Sequence, residues 1–542
     1  MQLSRFSLLL FALQPAASQQ IWDIWQTTWD RSGLFTSLAP STPINFASPG
    51  AIGSADISVD DTQVFQNMFG FGGTLTDSAA LLLNNLKNSN PSNYQTLLNY
   101  LFSPTDGANA AGLNYIRVPL GATDFSATAY TYDTSAGDTS FSKFNINNAP
   151  SYVFSILKDI KAVNQYIKIH VLPWSPPGWM KDSGTMNGGS LTSSSVSIYA
   201  NYLLKSLQGF QSQGLTPYAI SIQNEPQNSD STYPSCTMAV AVEAQIGIAL
   251  RTLMNNNGFS SVKLIGFDHN WSGVSSYAVP LLNAAPNAFA GVAFHCYQGT
   301  VNEQLVFQQT FPNKESVRVH WAATGGVISR YADSVILARV IRWNDDNAEQ
   351  WYMDNIFIGA VQYGASAGLM WNIALDGNGQ PMLPGTDSCG GGCRGIVQIN
   401  SGGSWSVNQE FYAMAQASKA VIPKDVGGPF GQRIGATVGG SLSWALIVAA
   451  YVTGRVNLSD WLRYSIVVLN SDDNVNGDWD PTPVATTIEF RGMQARYTFP
   501  VGVTTLWWFA PGTSLNATND QDNSYVLYSE TDGQQHPLQF FH

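Results

Sequence analysis

Six short apolar runs in this sequence end on side chains that can bind or transform a polar ligand: NYIRVP with Arg117, VLPWS with Trp174, ISIQNEP with Asn224 and Glu225, GFDHN with Asp268 and His269, AFHCY with His295 and Tyr297, and LMWN with Trp371 and Asn372. Amides, indole rings, an arginine and one glutamate suit acid–base work on a neutral, hydroxyl-rich molecule. A carboxyl held at a strand end can protonate a leaving oxygen. Amides hold hydroxyls, and indole faces stack on sugar rings. Cleaving a glycosidic bond takes two carboxyls, one for the leaving oxygen and one for the anomeric carbon. Glu225 is the candidate for the first, and the plainer alternative is a surface glutamate after a strand.

Such groups gather only if the strands that carry them lie side by side and parallel. The candidate strands QNMFGFGG, NYIRVPLG, IKIHVLPWS, YAISIQNE, VKLIGFDHN, GVAFHCY and GLMWNIAL alternate with helical stretches, the pattern of an α/β parallel sheet. We expect a (β/α)8 TIM barrel over 56–422, in which functional groups sit at the C-terminal strand ends. One strand is missing from this set, between 295 and 370. Helical periodicity stops near 422, and 423–510 reads as a β-sandwich joined by N-terminal strands from 19–55. Residues 511–542 form a polar tail.

Residues 1–18 read as a signal peptide: Arg5, the apolar core FSLLLFAL, then Ala16, Ala17 and Ser18. A secreted, extracellular and monomeric protein is expected, without a membrane span. Asn270, Asn457 and Asn516 lie in N-glycosylation sequons. Charged residues make up 11% of the chain, against roughly 25% in typical soluble domains. The net charge of −12 disfavours nucleic acid and anionic membranes, which need basic patches. Cys389 and Cys393, in CGGGC, are expected to form a local disulfide. The histidines show no metal-binding spacing, so neither metal nor cofactor is expected. GASAG (364–368) fits a serine-hydrolase elbow in letters, but a helix precedes it and a strand follows, the reverse of that elbow.

The stretches FGFGGTLTDSAA (69–80), RVPLGATDFS (117–126), LPWSPPGWMKDSGTMNGGSL (172–191), IQNEPQ (222–227), VAFHCY (292–297), GLMWNIALDGNGQPMLPGTDSCGGGCRG (368–395) and VNQEFYAMAQASKA (407–420) resemble glycoside hydrolase family 30, in particular its fungal endo-β-1,6-glucanases. The resemblance implies a barrel with a side β-sandwich, retaining hydrolysis by two glutamates, a β-glucan polysaccharide as partner and no cofactor. It implies Glu225 as general acid/base, Arg117 orienting the nucleophile, and Tyr297 bonded to it. The residues themselves agree: partial burial would raise the Glu225 carboxyl, and Asn224 can hydrogen-bond a sugar hydroxyl. Trp371 would floor the sugar site, Trp174 and Trp179 could stack on sugar, and His269 and His295 would line the pocket. Asp77 and Asp124 are expected to fix loops. Glucosylceramidase-type activity also occurs in the family.

The resemblance places its nucleophile at the end of the seventh strand, after a Pro-Asn-Lys-Glu lead-in. That lead-in is present as TFPNKE (310–315), but no glutamate follows where it should, and His320 falls there instead. The segment 316–349 is anomalous, with four arginines and no lysine. Three accounts stand: a retained intron or frame error in the gene, a glucan-binding chain that does not cleave, or substitution by Glu315 or Glu349. Relatives often carry a cysteine beside the nucleophile. Without one here, Cys296 is left unpaired or bonds Cys236.

Overall fold

The computed structural model describes residues 19–320, 351–391, 393–473, 480–512, 528–531 and 534–537. The expected signal peptide, most of the anomalous segment and most of the polar tail lie outside them.

Eight parallel strands close a barrel: β1 Gly70–Thr74, β2 Tyr115–Pro119, β3 Lys168–Leu172, β4 Ala219–Ser221, β5 Lys263–Asn270, β6 Gly291–His295, β7 Glu315–His320 and β8 Ala367–Met370. The strand missing from the sequence reading is β7, the start of the anomalous segment. It pairs Phe294 with Arg318 on one side and His320 with Met370 on the other. Without it, β6 and β8 would each leave a row of backbone N–H and C=O groups unpaired inside the protein. Val317 joins Tyr115, Ala219, Ile265, Ala293, Ala367 and Leu369 in the barrel interior.

Helices packed outside the barrel fix the strands. Thr76 caps the helix Asp77–Ser89 by accepting the Ala79 N–H at 3.1 Å, and Leu83 and Leu86 bury its inner face. Ser366 lies between the helix Gly359–Gln362 and β8, so GASAG is a turn running into a strand, not a strand followed by a helix.

The strands Gln20–Thr28 and Ala55–Asn67 pair with C-terminal strands in one ten-stranded sheet beside the barrel. The side sheet therefore takes the chain past 56, the expected start of the barrel, and the barrel begins at Gly70. The sheet folds back on itself. Phe490 and Trp508, on strands that are not neighbours in the ladder, meet at 5.3 Å between ring centroids over a second core. The helix Gln409–Val421 joins barrel to sheet. Gln416 donates to Thr27 and accepts from Thr505, at 3.1 and 2.7 Å.

Cys389 and Cys393 are bonded as expected, and no disulfide joins Cys236 to Cys296. Among the described residues no helix is long and apolar enough to cross a membrane. The sequons separate sharply. Asn270 is 6% exposed and its Oδ1 accepts the Tyr297 N–H at 2.9 Å. Asn457 stands exposed in a turn, its Oδ1 accepting the Ser459 N–H. Expressed through a eukaryotic secretory pathway, the chain should carry glycan at Asn457 and none at Asn270. Glycopeptide mass mapping checks both sites.

Candidate active site

The strand ends break out of β conformation to aim their side chains. Glu225 (φ 50°), Phe267 (φ 69°), Asp268 (φ 49°) and Asn372 (φ 53°) all sit in the left-handed region. Each such non-glycine residue costs of order 1–3 kcal/mol and persists only where its surroundings enforce it. The Glu225 N–H donates to the Asp268 carbonyl at 3.0 Å and the Asn224 N–H to the Pro173 carbonyl at 2.9 Å, lacing together the ends of β3, β4 and β5. The Phe267 N–H donates to Glu243 Oε1 at 2.9 Å. Asn372 accepts from Thr76 at 2.6 Å.

A cavity of about 320 Å³ opens at this end of the barrel, and Arg117, Trp174, Asn224, Glu225, His295, Tyr297 and Trp371 line it. Seven of the eight residues expected there therefore converge. The eighth, His269, stands beside the cavity, close to Glu225 and His295. Trp179 is turned to the Asp133 carbonyl at 3.1 Å and is not a wall. Trp174 and Trp371 stack on each other at 4.9 Å, and Arg117 lies over Trp174 at 4.7 Å.

Behind the cavity runs a buried chain of charges that sequence reasoning did not assemble. Arg117 Nη2 donates to Asp268 Oδ1 at 2.9 Å and to Asn224 Oδ1 at 2.6 Å. His295 bridges two carboxylates, with Nε2 2.8 Å from Asp268 Oδ1 and Nδ1 3.0 Å from Glu225 Oε1. Asn228 donates to Glu225 Oε2 at 3.1 Å. Burial alone would raise Glu225. The hydrogen bond and charge of His295, with the charges of His269 and Arg117, outweigh burial and hold the carboxyl below its usual range. The expected rise is thus reversed. Burial disfavours the His295 imidazolium, but its bonds to Asp268 and Glu225 win and raise its pKa. Asp268 is likewise held low against burial, chiefly by Arg117. Asp268 appeared in the sequence only as one strand-end residue among several.

Asp124 is a second departure. Expected to fix a loop, it also lines the cavity, and accepts from Ser388 at 2.6 Å. Burial pushes its carboxyl up to about 7, against that hydrogen bond. Below that pH it is a donor facing the ligand space. Asp77 does fix a loop, accepting from Ser126 at 2.6 Å and Tyr130 at 3.1 Å.

Glu315 cannot be the second carboxyl of a retaining pair. It opens β7 at the far end of the barrel, where it pairs with Lys263 at 3.0 Å. Its six-residue strand at about 3.3 Å per residue places it roughly 17 Å from the active end, whereas a retaining pair stands about 5–5.5 Å apart. Glu349 lies outside the described residues.

Burial pushes Glu243 up to about 7, against the pull of Tyr277 and the Phe267 amide. Between the ordinary carboxyl pKa of 4.5 and about 7, the unfolded chain loses this proton and the folded one keeps it. Folding stability therefore falls as pH rises through that window and is level above it. Glu243→Gln should remove the fall, a difference on the order of 3 kcal/mol. Urea unfolding of both proteins at pH 4.5 and pH 8 measures it.

A closed barrel with carboxyls, two stacked indoles, an amide and an arginine at its C-terminal mouth has the equipment of a glycoside hydrolase. Residues 68–387 match the glycosyl hydrolase family 30 TIM-barrel domain, and the chain belongs to that family. It is 32% identical to an endo-1,6-beta-D-glucanase of Aspergillus fumigatus over 72% of this chain and 78% of that protein. It is 30% identical to the endo-1,6-beta-D-glucanase of Neurospora crassa over 71% of this chain and 78% of that one. The mouse lysosomal acid glucosylceramidase is 28% identical over 60% of this chain and 63% of its own length. Among solved structures, the endo-beta1,6-glucanase BT3312 superposes with a TM-score of 0.73 at 25% identity, covering 90% of this chain and 99% of that one.

Proposed function

We propose that this chain is built to act on β-1,6-glucan outside the cell, as a monomer, with Glu225 as the general acid/base of a retaining pair whose nucleophile the sequence as given lacks. The observation that carries the reading is Glu225 itself: it lines a cavity walled by Trp174 and Trp371, with one carboxylate oxygen bonded to His295 and the other to Asn228. The choice of β-1,6-glucan over glucosylceramide follows the relatives with the higher identity and coverage. Asn224 accepts from Arg117 through Oδ1, which leaves its NH₂ as a donor for a sugar hydroxyl. Arg117 and Tyr297 are the residues beside the nucleophile position, and Trp371 floors the sugar.

The nucleophile position falls on His320, the last residue of β7 and the register partner of Met370, one residue before Trp371. An imidazole there does not supply the carboxylate of a retaining pair. As written, the chain should bind pustulan, a β-1,6-glucan, and release few reducing ends from it. Pustulan pull-down and a reducing-end assay test both halves, with glucosylceramide as the competing substrate. Preferential turnover of glucosylceramide would overturn the choice of substrate, and rapid pustulan hydrolysis would overturn the assignment of His320. Sequencing the transcript across codons 305–355 decides between the accounts of the segment. A glutamate at the strand end makes the natural protein an ordinary retaining enzyme; the sequence as given leaves a glucan-binding protein.

A further inference from the structure

Glu225, His269 and His295 come from three different strand ends, and one ligand atom from each lies within 4.8 Å of the other two. We propose that the trio binds a divalent transition-metal ion, with Zn²⁺ as the best chemical fit. The inference goes beyond the glucan reading and stands without it. Two imidazoles and a carboxylate are the donor set of open zinc sites, which take three protein ligands and leave a fourth position to water or another small ligand. Here Glu225 and His295 face the cavity, which supplies that position.

The surroundings hold the ligands as a metal site requires. A metal-bound histidine is usually oriented by a carboxylate on its other ring nitrogen. His295 has this support: its Nε2 is 2.8 Å from Asp268 Oδ1, and Asp268 is fixed in turn by Arg117 at 2.9 Å. Its Nδ1 is left facing Glu225 Oε1 at 3.0 Å. Asn228 holds the other oxygen of Glu225 at 3.1 Å. Nδ1 of His269 is buried without a hydrogen-bond partner, a desolvated polar atom that the surrounding protein leaves unsatisfied. The charge also fits. Glu225 and Asp268 bring two negative charges against the single positive charge of Arg117, with His295 neutral as a ligand. In a tetrahedral site with bonds of about 2.0–2.2 Å the ligands stand roughly 3.3 Å apart. Glu225 and His295 are already closer than that, so only His269, which is partly exposed, must swing inward.

On the acid/base reading of Glu225, an ion held by its carboxylate would compete with the proton that this group has to deliver. Zn²⁺ is therefore a reversible block on this site. The test uses the full chain, stripped with a chelator and titrated with Co²⁺, whose visible d–d bands report a low-coordinate site. The bands should saturate at one equivalent and disappear when Zn²⁺ is added. His269→Ala and Glu225→Gln should each weaken Co²⁺ binding at least ~10-fold, the smallest effect of losing even a supporting residue. Circular dichroism verifies that both variants are folded, and Glu225→Gln keeps the shape of the side chain. Absence of the bands, or unchanged affinity in both variants, overturns the proposal. No glycan enters the assay, so failure of the glucan reading leaves its outcome untouched.

Discussion

His320→Glu should raise pustulan hydrolysis about 10⁴-fold over the chain as written. Removing a catalytic nucleophile elsewhere costs about 10⁶ in kcat. A glutamate introduced into a site that lacks its supporting contacts forfeits a share of that, about 10² for a misplacement near 1 Å. The backbone for the gain is in place. β7 pairs with β6 through Glu315–Arg318 and with β8 through Val317–His320, and His320 closes it at the mouth of the barrel that carries Glu225 after β4 and Trp371 after β8. The measurement is initial rate by reducing ends, with the anomer of the first product read by NMR. Retained configuration together with the rate gain would establish the pair. A variant no faster than the parent chain would show that residue 320 is not the nucleophile position.

Glu225→Gln, made in the His320→Glu chain, should then cost about 10³-fold on unactivated glucan, since general acid assistance is worth 10²–10⁴-fold. On an aryl glucoside with a good leaving group, formation of the glycosyl-enzyme needs little protonation, so the loss in that step should be far smaller. This contrast separates a proton donor from a residue that merely shapes the pocket. The pH profile carries a second sign. In the chain as written, His295 holds Glu225 ionised, the wrong state for an acid. A new carboxylate nearby disfavours the second negative charge and raises the pKa of Glu225. The alkaline limb of activity should therefore lie higher in the His320→Glu chain than Glu225's present environment would set it. Near-normal turnover of Glu225→Gln on glucan would end the assignment.

The CGGGC bridge, the strand-end positions of Glu225, Asn224 and Trp371, and the barrel class were legible because each follows from local pattern. Alternation marks strands, helical periods mark the segments between them, and a parallel barrel puts strand ends at one mouth. The strand β7 was not legible, because ESVRVH carries arginine and histidine where a buried strand was expected to be apolar and to end in glutamate. Closure decided it: the open edges of β6 and β8 require a partner whatever its side chains. The charge network was illegible for a related reason. Arg117 and Asp268 are 151 residues apart, and His295 is 70 residues from Glu225. Burial predicted a raised Glu225, as the chain around it suggests. Only the fold brings His295, His269 and Arg117 near enough to reverse that. The same holds for Asp124 and for the metal-ligating trio, which no sequence spacing announces. The sequence determined which groups stand at the barrel mouth. Tertiary structure determined their charge states and partners, because electrostatic coupling depends on distance through space and not on separation along the chain.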